Sequence, residues 1–119
     1  MKRLALGLCL LPSLAVADAP WIGNWAWMPE SCENREYTTN ANPWPLQFLA
    51  DEFIGTEVSC SLDTIAITPI PNTWMFEMTC QSEGDTNPEQ MMIMLPDRDT
   101  LYILYGIGGP EVYGRCAQQ

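Results

Sequence analysis

The sequence has no histidine, a single lysine and only four arginines among its 119 residues. Without an imidazole, Ser-His-Asp and Cys-His nucleophilic centres are excluded, and most zinc sites go with them. Long apolar runs are scarce as well. One spans Leu4 to Leu14, behind Lys2 and Arg3 and ahead of Ala15-Val16-Ala17. Basic, then apolar, then small-x-small predicts a secretory signal peptide over 1–17, with cleavage before Asp18. That run is too short to span a bilayer, and no later run is longer. Cys9 lies inside it with Leu8 before it, so it reads as filler in a discarded segment, not as a lipidation site. Helical periodicity, internal repeats and low-complexity tracts are all missing.

Removing the leader removes Lys2 and Arg3. The expected mature chain, Asp18 to Gln119, is one domain of 102 residues. Three arginines then face fifteen acids, a formal charge of −12. Such a surface repels phosphate, so nucleic acid and anionic membrane are disfavoured and a basic partner is favoured. No lysine is left for amine chemistry. No cofactor and no metal is expected.

Four cysteines remain: Cys32, Cys60, Cys80 and Cys116. An even number in a small exported chain reads as two disulfides. The stretch from Glu57 to Gly84 suggests the pairing. Trp74, Phe76, Met78 and Cys80 alternate with polar residues or Met75, a period of two with one apolar face. Val58, Cys60 and Leu62 do the same, but beyond Leu62 the phase shifts to Ile65 and Ile67. With Cys60 opposite Cys80, Leu62 meets Met78. One extra residue at Asp63–Thr64, a β-bulge, then lets Ile65 meet Phe76 and Ile67 meet Trp74. Pro69 to Asn72 is left as the loop. This register predicts Cys60–Cys80, which leaves Cys32–Cys116; the other two pairings stay open.

Elsewhere the chain reads as short strands and turns. Trp25 and Trp27 share one side of a strand between Pro20 and Pro29. Ser31 to Pro45 reads as a long loop and Leu46 to Ala50 as a strand. Another strand starts at Phe53, and Glu83 to Pro88 reads as a loop. Gln90–Leu95, Thr100–Tyr105 and Val112–Cys116 complete the set. Seven or eight short strands, each beside its sequence neighbour, predict an all-β fold: an antiparallel up-and-down barrel or rolled sheet.

The order of features resembles a group of small exported four-cysteine bacterial proteins. Gly23-Asn24-Trp25 comes early and Cys32 soon after. Glu57 precedes Cys60 by three, Cys80 comes before Glu83-Gly84, and Arg115-Cys116 ends the pattern. That resemblance carries no activity with it. Gly-x-Trp on a first strand with a late arginine is also similar to the calycin barrels: lipocalins, avidins and small bacterial metalloprotease inhibitors. The disulfide pattern departs from that of lipocalins, while length and compartment suit the inhibitor-sized members. The resemblance implies a barrel end closed by Gly23, Trp25 and Arg115, the guanidinium lying over the indole. Pairing of Arg115 with a nearby acid is the other reading.

Few constellations offer chemistry. The bulge puts Asp63 near Glu77, and Glu57 lies near Glu83; paired carboxylates do acid–base work when buried, but on an outer face they only repel. Glu83, Asp85 and Glu89 flank Gly84 without matching a known calcium loop. Met75, Met78, Met91, Met92 and Met94 suggest copper by type, but alternation spreads them over both faces, as core filling does. Trp21 and Trp44 sit beside prolines in loop-like segments. They are expected at the surface as binding residues for a partner or a sugar ring, or else as a lid over the barrel's open end.

Together these features predict an exported, non-enzymatic binding module, periplasmic or secreted, that recognises a protein partner and in one form inhibits it. The alternative is a barrel with a small ligand inside. A third reading is an enzyme working through Asp63 or Glu77.

Overall fold

The period-two segments become strands. In the computed structural model, which describes residues 19–33, 45–104 and 109–117, eight strands close into an antiparallel barrel in chain order. They are β1 (Gly23–Ala26), β2 (Leu46–Phe48), β3 (Glu52–Gly55), β4 (Val58–Ile67), β5 (Thr73–Ser82), β6 (Asp85–Asp97), β7 (Thr100–Leu104) and β8 (Glu111–Arg115). Pairing of β1 with β8, Trp25 opposite Arg115, closes the seam. The expected leader, residues 1–17, and Trp44 lie outside the described residues.

The central hairpin has the predicted register. Cys60 faces Cys80, Leu62 faces Met78, Ile65 faces Phe76 and Ile67 faces Trp74. The register shifts between Leu62 and Thr64, so Asp63 is the bulged residue. Parity explains where the disulfide forms. The amide of Leu62 donates to the carbonyl of Asp51, away from β5. Cys60, two residues earlier, therefore also belongs to the pairs that exchange no backbone bonds with β5, where side chains come closest. The Cys60 and Cys80 Cα atoms are 3.9 Å apart. The second disulfide joins Cys32 to Cys116 across 84 residues.

Two segments differ from expectation. Glu83 to Pro88 is not a loop: only Glu83 and Gly84 turn, and β6 starts at Asp85. Both turn residues have positive φ, 53° and 87°, the geometry that a two-residue hairpin requires. Pro88 is tolerated because it faces Thr79 on β5 while β7 pairs only with Met92 to Asp97, so its missing N–H lies on an open side. In the segment read as a long loop, Pro29–Glu33 forms a short 3₁₀ helix that presents Cys32 to Cys116.

The interior is packed through its middle. Trp25, Phe48, Phe76, Ile93, Leu101 and Ile103 are fully buried at inward positions of five strands. Trp21 is buried as well, with 6% of its surface accessible, and is not an exposed anchor. It stands edge-on to Trp74 and Phe76, with ring centroids at 5.0 and 5.3 Å, and caps that end of the core. Pro20 turns the chain across the barrel end, and that turn directs Trp21 inward. Its indole nitrogen has no hydrogen-bond partner among the described residues.

Candidate functional site

The barrel has two unlike ends. At the first, Arg115 lies over the Trp25 ring, 4.3 Å from guanidinium carbon to centroid. Its Nε donates to the Arg98 carbonyl at 2.7 Å, Nη1 to that of Ile22 at 3.1 Å and Nη2 to that of Pro20 at 2.7 Å. Asp99 adds a loose ion pair at 3.7 Å. Stacking and acid pairing are therefore both present. Burial lowers the pKa of Arg115, with Asp99 opposing the shift, from so high an ordinary value that the group stays charged. Gly23 makes room for it. Its φ is +145°, and a Cβ there would come within 2.9 Å of Arg115 Nη1. These contacts explain why Gly23, Trp25 and Arg115 go together: the arginine ties the segment entering β1 to the turn between β6 and β7.

Among the described residues, the other end is open. β1 and β7 run towards it, β2 and β8 leave from it, and the turns after β3 and β5 lie beside it. There a cup of about 460 Å³ sits above the packed layer. Leu46, Phe53, Val58, Met78 and Met91 make its apolar wall, and the Cys60–Cys80 bond lies within it. Asn87, Glu89 and Ser82 supply polar groups on one side. Glu89 shares the inward phase of Met91, two residues on, but stands above the core and is exposed. Tyr113, from β8, lines it as well, its hydroxyl donating to Glu111 at 2.7 Å. Trp27, one residue past the mouth end of β1, is 62% exposed at this same end. The open end thus combines an apolar floor, acids on β6 and β8 and an exposed indole.

The remaining candidates are dispersed. Asp63 and Glu77 are exposed on the outer face. Asp63 accepts hydrogen bonds from Thr79 at 2.6 Å and Ser61 at 2.8 Å, and these hold its carboxyl below the ordinary value of 3.8. It is an ionised acceptor that locks the bulge. Glu83 and Asp85 flank a tight turn while Glu89 belongs to the mouth; no three acids or cysteines among the described residues gather as a metal site. Of the methionines, Met78 and Met91 fill the core, whereas Met75, Met92 and Met94 are half-buried on the outer face.

Sequence reading did not find the mouth. Its walls come from β2, β3, β4, β5, β6 and β8, and no local pattern brings Leu46, Val58, Met91 and Tyr113 together. The usable signal was Trp27, whose alternation with Trp25 leads it past the core to the rim. Comparison with known proteins finds no matching family model, no matching curated protein and no matching solved structure.

Proposed function

We propose that the protein is an exported, non-enzymatic binding module whose open mouth takes a side chain from a protein partner. One observation carries this reading: an apolar cup with acids at its edge, above a layer of fully buried side chains. Its volume, about 460 Å³, lies within the range for ligand sites and admits a long side chain with room to spare. A lysine or arginine fits such a place well. Its methylene stem meets Val58, Met78 and Met91 while its charge reaches Glu89 or Glu111. The formal charge of −12 on the mature chain favours a basic partner and speeds its approach. Trp27 supplies the exposed aromatic that binding surfaces commonly use.

Two disulfides are consistent with an oxidising compartment, periplasmic or extracellular. The non-enzymatic reading draws on Asp63, whose hydroxyl partners favour the ionised form and oppose general-acid work. The resemblance to inhibitor-sized calycin barrels agrees in compartment and scale.

Retention of extracytoplasmic proteins by immobilised wild type and by Glu89→Lys tests this reading. A protein held by the wild type and lost with Glu89→Lys at low salt is the expected result. Identical retention by both folded forms would overturn it. The same cup also admits a small cationic amphiphile, and native mass spectrometry showing a bound small molecule lost in Glu89→Lys would favour that reading.

A further inference from the structure

Among the described residues, β4 outruns its neighbour on the side away from β5. β4 runs on to Ile67, but β3 pairs with it only from Val58 to Ser61. The bond from the Leu62 amide to the Asp51 carbonyl, 3.0 Å, is the last on that side. Among the described residues no strand lies beside Thr64 to Ile67. Parity shows which groups are left open. The Thr68 amide bonds inward to the Thr73 carbonyl of the hairpin at 3.2 Å. Ala66 and Thr64 share that phase, so the N–H and C=O groups of Ile65 and Ile67 point away from β5. They form a short unpaired edge, the kind of template that accepts an extended strand.

The two faces beside this edge differ. On one stand Ile65 and Ile67, the latter 83% exposed, with half-buried Trp74 opposite it. On the other stand Thr64 and Ala66, with Asp63 and Glu77 next to them and Asp51 and Glu52 just beyond. A strand added here would place alternate side chains on an apolar face and an acidic face. We propose that the Thr64–Ile67 edge docks an extended segment of a partner protein in which apolar and basic residues alternate. A second copy of this chain fits worse: edge-to-edge pairing would bring Asp63 and Glu77 against their own equivalents, and each mature chain carries −12. This surface lies at the opposite end from the mouth and does not depend on it.

The test uses the exported, disulfide-bonded protein and a short synthetic peptide of alternating valine and lysine. Backbone amide exchange is followed by NMR. The peptide should slow exchange at Ile65 and Ile67 by about ten-fold or more, and added salt should weaken the effect. Ile67→Lys, at a side chain clear of the core, should weaken binding by about ten-fold or more, since a lysine on an edge repels such a strand. Glu89→Lys should leave it unchanged, which separates this surface from the mouth. Absence of protection at Ile65 and Ile67 would overturn the proposal. Equal protection by a valine–glutamate peptide, or binding unchanged in Ile67→Lys, would do the same. Protection without peptide, accompanied by dimers in sedimentation, would identify a second copy as the occupant and overturn it too.

Discussion

Arg115 ties together segments far apart in the chain. It satisfies carbonyls of Pro20, Ile22 and Arg98 and covers Trp25. Methionine has the length but none of the donors. Arg115→Met should cost about 2–3 kcal/mol in urea unfolding, because the lost bonds are charge-assisted and partly sheltered. Arg115→Lys should recover only part, since a point charge cannot serve three divergent carbonyls. Gly23→Ala should cost about 1–3 kcal/mol through the same cluster, from backbone strain and the approach to Nη1. Asp63 behaves differently. Its folded pKa lies below 3.8, so its contribution is complete above that value and is lost as pH falls through the folded pKa. Asp63→Asn should therefore lower the urea midpoint at neutral pH, with the gap to wild type narrowing steadily in acid.

At the scale of elements, the β4–β5 hairpin was legible because period two leaves little freedom. Once the apolar phase slips between Leu62 and Ile65, one bulged residue restores it, and the cysteines then face each other. Replacing Cys60 and Cys80 together with alanine should cost roughly 3 kcal/mol, by the loop-closure entropy of the segment they span, and should be visible as a lower denaturant midpoint. The start of β6 was not legible. Glu-Gly-Asp-Thr-Asn-Pro has turn composition throughout, yet a two-residue turn suffices and β5 templates the remainder. Trp21 misled for a related reason. Its proline neighbour marks a bend correctly but says nothing about which way the bend sends the indole. The mouth lies further still from local pattern, because it exists only where six strands converge.

For the whole molecule, compartment, charge and closure act together. The eight-strand order followed from short turns and neighbour pairing, and the seam from what remained after the hairpin cysteines were matched. Replacing Cys32 and Cys116 with alanine should cost about 4–5 kcal/mol by the same loop-entropy estimate, more than the hairpin pair, because the loop is longer. The bond over 84 residues also has a covalent consequence. It turns residues 32–116 into a covalent ring. A protease that cuts once between Cys32 and Cys116 opens the ring but releases nothing, and the two pieces stay attached through sulfur. A single nick in the disulfide-bonded protein should therefore leave its mass intact, plus one water, until a reductant is added.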